Sequence, residues 1–379
     1  RINNAGSNYT LSAGASGLGT ATSKPFIVRN PLVFTAVSAG YFHTCGITTG
    51  GVGYCWGENS SGQLGAASPP TPTPLQISGQ LTFANIGAGR DHTCGVTTAG
   101  AAYCWGESAT GRLGTDATDH GSPGKVVGGF TFVSTFGGYA HTCGVTTAGA
   151  GYCWGDNQFG ELGNGTQTNS PNSSPIAVSG GRTFTMISAG RYFNCGLTNA
   201  GAAYCWGVNS EGELGDGSTV LGNVPRAVSG QLNFSSVSAG GFHACGLTAA
   251  GAAYCWGQNT FGQLGNDHIG TTSVPVAVAG GLTFAMISAG NRHTCGVTTD
   301  GKAFCWGDNS NGNLGDGTTD SRAVPTGVSG GLTFSSVSAG RFHSCGITTS
   351  GTLYCWGTNN SGQLGDATNV MRLVPVLVR

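Results

Sequence analysis

The chain has 379 residues, 70 of them Gly, and only 8% are charged, against about 25% in an ordinary soluble domain. Its 15 basic and 16 acidic side chains nearly cancel, which argues against a nucleic-acid partner or a polybasic membrane anchor. No run of about 18 apolar residues occurs, so no membrane-inserting segment is expected, while 7 Trp, 10 Tyr and 17 Phe supply enough apolar surface for a core.

Residues 1–24 are rich in Gly, Ser, Ala and Asn and read as an N-terminal extension. They start at Arg1 and lack a basic-then-apolar pattern, so a secretion signal is expected to have been removed. From residue 25 to 379 the chain reads as one domain of seven equivalent units. The string Y/F-C-W-G recurs at Trp56, Trp105, Trp154, Trp206, Trp256, Trp306 and Trp356, in steps of 49, 49, 52, 50, 50 and 50 residues. Ten residues before its cysteine lies the cysteine of H-x-C-G, and in the fourth unit Asn194 is read in place of the His. A Phe opens the run that ends in S-A-G or its equivalent, from Phe34 to Phe334.

The last unit shows the local pattern: F-S-S-V-S-A-G, H-S-C-G-I-T-T, T-L-Y-C-W-G and L-V-P-V-L-V. Each piece is short, rich in β-branched or aromatic residues and bounded by turn residues, and no helical period appears. Four short strands repeated seven times predict an all-β, seven-bladed propeller with four antiparallel strands per blade. Radial closure would remove most of the unpaired sheet edge.

At the string G-x-x-H-T-C-G-x-T-x-x-G-x-x-Y-C-W-G-x-N-x-x-G-Q-L-G the chain resembles the regulator of chromosome condensation repeat, over residues 25–378. The resemblance implies a seven-bladed propeller, the number already counted from the repeats. The family's chromatin member adds a basic tail and a blade insertion that acts on a nuclear GTPase, and neither is found here. The fold is therefore expected to carry over and nucleotide exchange is not. In style the chain is closer to secreted bacterial members, which act by binding.

The 14 cysteines form seven pairs: Cys45 with Cys55, Cys94 with Cys104, Cys143 with Cys153, Cys195 with Cys205, Cys245 with Cys255, Cys295 with Cys305 and Cys345 with Cys355. A three-residue loop at Thr98-Ala99-Gly100 puts Thr97 opposite Ala101 and hence Cys94 opposite Cys104. Facing residues on antiparallel strands lie within disulfide range. One disulfide per blade is thus predicted, each contributing roughly 2–3 kcal/mol on the chain-entropy estimate, in an extracellular or cell-surface setting. The rival reading is a zinc set in H-x-C-x₉-C, but the C-x₂₋₄-C knuckle is missing. The histidines are then expected to cap turns through backbone hydrogen bonds.

Catalysis would show as a break in the symmetry. Asp91, Asn194, Ser108, His120 and His268 are such breaks, yet none completes a carboxylate pair or a nucleophilic arrangement. Asp308-Asn309-Ser310-Asn311-Gly312 echoes a calcium loop but lacks its closing Glu and reads as an Asn-Gly turn. No cofactor, metal or catalytic residue is expected.

Binding leaves a clearer pattern. The loops after the first and third strands should emerge at one end of the propeller. They carry Tyr41, Phe42, Arg90, Asp91, Tyr139, Arg191, Tyr192, Phe242, Arg292, Arg341 and Phe342, joined by Phe159 and Phe261. Aromatic and Arg side chains are what protein interfaces concentrate. The alternative is that these rings only pack beneath their own loops.

Eight segments match the fourth-strand pattern for seven blades. Pro25-Phe26-Ile27-Val28 and Pro375-Val376-Leu377-Val378 compete to close blade seven. The surplus one could add to another copy and build a filament. The sequence therefore predicts a non-catalytic extracellular scaffold for protein contacts, self-assembling through that strand. The alternative is a monomeric inhibitor or adhesin that uses the aromatic and Arg loops.

Overall fold

The computed structural model describes residues 6–10, 12–14, 20–23, 26–28 and 32–379. Seven four-stranded antiparallel sheets follow one another along the chain, each with its strands in sequence order. Blade one consists of Phe34–Ala39, His43–Thr48, Gly53–Gly57 and Thr71–Gln76, and blade seven of Phe334–Ala339, His343–Thr348, Leu353–Gly357 and Arg372–Leu377. Blade two ends in a fourth strand of only two residues, Gly124–Lys125, whereas that of blade three extends over Thr168–Ala177.

The repeated motifs are packing devices. Second strands are buried almost end to end, since a neighbouring blade covers each face, while fourth strands form the half-exposed outer rim. The Phe opening each blade lies across the Gly of H-x-C-G, and a Cβ on Gly46 would come within 2.8 Å of the Phe34 ring. The glycine ending G-x-L-G adopts positive φ, 71° at Gly65, and a Cβ there would meet Trp105 of the next blade at 2.8 Å. Each Trp therefore belongs to the core of the preceding blade. Trp105 packs with Cys45, Ile47, Cys55, Leu64 and Ile77 of blade one. All seven indoles are fully buried.

The predicted cysteine register holds in every blade. Cys94 faces Cys104 across the second and third strands of blade two. In the other blades Cys45 faces Cys55, Cys143 faces Cys153, Cys195 faces Cys205, Cys245 faces Cys255, Cys295 faces Cys305 and Cys345 faces Cys355. All seven pairs are bonded, with Cα atoms 4.0–4.1 Å apart.

The terminal strands are where the expectation changes. Blade seven closes with the C-terminal segment: Val376 lies opposite Cys355, Leu377 opposite Tyr354, and Val378 donates to the Leu353 carbonyl at 3.0 Å. Phe26–Val28 pairs instead with Gly6–Tyr9, and Ser12–Ala13 pairs with Ala21–Thr22, so the N-terminal segment folds on itself. Pro25 lies outside the described residues. Both competing strands thus have partners in the same chain, which removes the reason for expecting strand exchange.

Blades one and seven share no strand, and side chains and loops close the ring. Phe34 and Trp56 of blade one complete the core of blade seven. The Phe34 amide donates to Gly351 O at 2.9 Å and Ala367 N to Pro72 O at 2.9 Å across the same seam.

Candidate binding face at the mouth of the central channel

The loops after the first and third strands do leave at one end. Gly57 closes the third strand opposite His43, and Glu58 N donates to Phe42 O at 2.9 Å. The S-A-G ends of the first strands bring only small side chains to the axis, around a channel cavity of about 80 Å³. Directly after them Tyr41, Arg90, Tyr139, Arg191, Gly241, Asn291 and Arg341 follow one another around the axis. Most are tied to the next loop by a backbone bond, such as Tyr41 N to Gly89 O at 3.2 Å, and Arg341 N to Gly40 O at 3.1 Å completes the circuit.

Guanidinium groups and aromatic faces alternate around this rim. The Arg341 guanidinium lies 5.2 Å from Tyr41, 5.0 Å from Phe42 and 4.5 Å from Phe342. Arg191 lies 5.2 Å from Tyr139 and 4.9 Å from both Tyr192 and Phe242. Arg292 reaches Phe242 at 5.6 Å and Phe261 at 5.2 Å, and Arg90 covers Tyr139 at 4.3 Å. Ring contacts join Tyr41 to Tyr139 at 5.7 Å, Tyr139 to Tyr192 at 5.0 Å and Tyr192 to Phe159 at 5.2 Å. Asp91 enters through an ion pair with Arg90 at 2.8 Å. All 13 loop residues singled out in the sequence therefore join one network, half-buried and contiguous.

Charge at the centre is unbalanced. Arg191, Arg292 and Arg341 form no ion pair among the described residues. With Tyr41, Tyr139, Phe242, Asn291 and Phe342 they line a cavity of about 120 Å³ whose lining includes no carboxylate. The Tyr41 hydroxyl and the Asn291 Oδ1 are buried there without a hydrogen-bond partner. Burial pushes the Tyr41 phenol well above its ordinary value and the Arg341 guanidinium below its own. Asn291 and Gly241 escaped the sequence reading because it sought aromatic and Arg residues. Their position after A-G, the same as that of Tyr41, was the available signal.

The histidines do not cap turns. Each Nε2 reaches the second strand of the next blade: His43 to Thr93 Oγ1 at 2.8 Å, His92 to Thr142 Oγ1 at 2.9 Å, and His243 to Thr294 Oγ1 at 2.8 Å. Thr93 Oγ1 donates in turn to the Gln63 carbonyl at 2.8 Å, which also accepts Trp105 Nε1 at 3.0 Å. The hydroxyl proton is thus committed, so His43 donates from Nε2. His343 bonds to Thr44 Oγ1 at 2.7 Å across the seam between blades seven and one. In blade four the residue at the histidine position is Phe193, two before Cys195. Asn194 sits at the Thr position, where it receives His141 Nε2 at 2.8 Å and donates to Glu161 O at 2.8 Å. With every cysteine in a disulfide, the described residues hold no group of three His, Cys, Asp or Glu able to take a metal.

In every blade but the second, where Ser108 stands, the W-G-x-N asparagine shapes the long loop after the third strand. In blade six Asn309 Nδ2 donates to Thr318 O at 3.1 Å while its Oδ1 receives Leu314 N at 3.0 Å. Asn59 and Asn359 do the same work in blades one and seven, so their N-x-S sequons are buried in structural roles.

A model of the regulator of chromosome condensation (RCC1) repeat matches residues 51–96, 149–197, 200–247, 250–297 and 350–379, more than half the chain. The chain belongs to the RCC1 repeat family. A second model of the same repeat matches residues 34–63, 83–112, 184–213, 234–263, 287–313 and 334–363. No curated protein matches the chain in sequence. Among solved structures, human WBSCR16 is 19% identical with a TM-score of 0.78, over 89% of this chain and 94% of that one. Prp20p from Saccharomyces cerevisiae, described with its binding to Gsp1p and histones, is 20% identical over 92% of this chain and 87% of its own, TM-score 0.76. The ectodomain of the Arabidopsis thaliana receptor kinase ACR4 is 20% identical over 86% and 96%, TM-score 0.56. At these identities the likeness is one of fold. RCC1 propellers are usually protein-interaction scaffolds and typically non-catalytic.

Proposed function

We propose that this RCC1 propeller is a non-catalytic binding protein of an oxidising, extracellular or cell-surface compartment, and that the loop face around the channel mouth takes a protein partner. The observation that carries the reading is the contiguous network of Arg and aromatic side chains at one end of the axis. Such residues can shed water over a large area and still offer directed contacts. Seven disulfides support the compartment, since thiols in a reducing cytosol stay unpaired. The ectodomain relative adds that such a ring of blades serves on a receptor kinase outside the cell.

The test compares three forms of the protein as bait in its native setting. One is wild type, one carries Phe159→Ala and Phe261→Ala on the outer part of the loop face, and one carries Lys302→Ala at the opposite end. A partner held by wild type and Lys302→Ala but lost by the double variant supports the reading. A partner held equally by all three overturns it.

A further inference from the structure

The channel mouth has the chemistry of an unfilled anion site. Three guanidinium groups, those of Arg191, Arg292 and Arg341, converge on one cavity of about 120 Å³ without an acidic partner. Like charges held together in a half-buried cavity repel and favour a counter-charge. Their Nε atoms are buried and unpartnered, so guanidinium donors remain open. A planar guanidinium matches the two oxygens of a carboxylate. The Tyr41 hydroxyl is a further buried group with no partner at the same mouth.

Two observations favour a carboxylate on a peptide over a free inorganic anion. Asn291 Oδ1 is an unpartnered acceptor in the same cavity, which a simple anion could not satisfy but a peptide N–H could. Phe242, Phe342 and Tyr139 form apolar walls, suited to the methylenes that carry a side-chain carboxylate. The volume, about four waters' worth at roughly 30 Å³ each, fits one acidic side chain. We infer that the mouth of the central channel is a receptor for a peptide carboxylate, presented by the partner along the propeller axis and held by Arg191, Arg292, Arg341 and Tyr41. This rests on the loop-face reading above and narrows it to the partner's chemistry.

Titration calorimetry of the oxidised full chain tests it with four probes: Ac-Gly-Glu-Gly-NH₂, Ac-Gly-Gln-Gly-NH₂, Ac-Gly-Gly-Gly with a free terminal carboxylate, and inorganic phosphate. The Glu peptide is expected to bind with a dissociation constant on the order of 1 mM, at least about 10-fold tighter than the Gln peptide and more weakly at high salt. Tighter binding of the free-terminus peptide also supports the inference and names a chain end as the source. Arg292→Gln and Arg341→Gln should each weaken binding about 10-fold, with unchanged melting and near-ultraviolet dichroism, while Lys302→Gln leaves it unchanged. Binding of the Gln peptide equal to that of both carboxylate peptides, binding of phosphate alone, or no binding of either carboxylate peptide at 10-fold above the expected constant (about 10 mM) overturns it. Loss of the native partner in the double variant at Phe159 and Phe261 would still stand in that case, so the two readings fail separately.

Discussion

Six of the seven boundaries between blades are joined by a buried histidine, whereas the boundary between blades four and five is filled by Phe193. The Phe193 ring occupies the same place as the imidazoles. A Cβ on Gly190 would meet Phe193 Cε1 at 2.9 Å, as one on Gly290 would meet His293 Cε1 at 2.6 Å. The opposite side of the boundary has changed with it. The next blade offers Ala244, packed in the same apolar cluster as Phe193, where the others offer a Thr, Ser or Asn. One space is thus filled either by a complete polar relay or by a complete apolar plug. A half-converted boundary would leave a buried donor or acceptor unpaired, which costs more than either complete form.

The largest effect should come from breaking that match. Phe193→His puts an imidazole against Ala244 with nothing to receive its proton, and removes a fully buried ring. We expect a loss of about 3 kcal/mol in urea unfolding of the oxidised protein. Adding Ala244→Thr should recover at least about 1 kcal/mol of it. Additive losses in the two single variants and the double would show that the two positions are independent.

Thr44→Val breaks a polar boundary from the other side, at the seam where no shared strand closes the ring. It strands His343 and removes a donor from the Gln363 carbonyl, bonded to Thr44 at 2.8 Å. A loss of about 2 kcal/mol is expected. Hydrogen exchange should quicken in blades one and seven together, and Thr93→Val should not produce that paired response. Identical exchange patterns in the two variants would mean that the seam is no weaker than other boundaries.

The comparison also sets the response to pH. Burial depresses the histidines, to about 4 at His43, His141 and His293 and about 3 at His243 and His343. A depressed folded value means stability that is present above about 6.5, the unfolded value, and lost as pH falls towards 4 and below. In that window each histidine takes up a proton only on unfolding, a slope of about 1.4 kcal/mol per pH unit. Burial acts oppositely on Glu161 and Glu213, raised to about 8 and about 7, so their contribution is lost as pH climbs through those values. Stability should therefore peak between about pH 6 and 7. Converting a polar boundary to the apolar kind with His293→Phe and Ser344→Ala should remove one histidine's share of the acid slope. An unchanged slope between pH 4.5 and 6.5 would refute the assignment.

The contrast also shows what the chain's text could reveal. Blade number, strand order and all seven cysteine pairs were legible because period and hairpin register are local properties. The loop face was legible by residue type, since Arg and aromatic residues break the repeat where the strands do not. The histidine partners were not legible, because Thr93 lies 50 residues from His43 and only blade adjacency unites them. Asn194 was misread although the spacing was on the page: the histidine stands two residues before the cysteine, which in blade four is Phe193, and only the role of Asn194 as the acceptor for His141 needed the structure. The choice between Phe26–Val28 and Arg372–Leu377 for blade seven was closed to inspection too. Both segments carry the same strand pattern, and the decision rests on the pairing that Gly6–Tyr9 offers.

The smallest effect belongs to the boundary between blades three and four, where Asn194 does with an amide what Thr does with a hydroxyl. Its Oδ1 accepts from His141 and its Nδ2 donates to the Glu161 carbonyl, which also receives Trp206 Nε1 at 2.9 Å. Asn194→Thr keeps both functions on a single oxygen and should change stability by no more than about 0.5 kcal/mol. Asn194→Val matches the shape of that Thr variant and keeps neither, so it should cost about 2 kcal/mol. Equal effects of the two would mean that this boundary responds to volume alone, and the relay would then be a consequence of the packing instead of one of its causes.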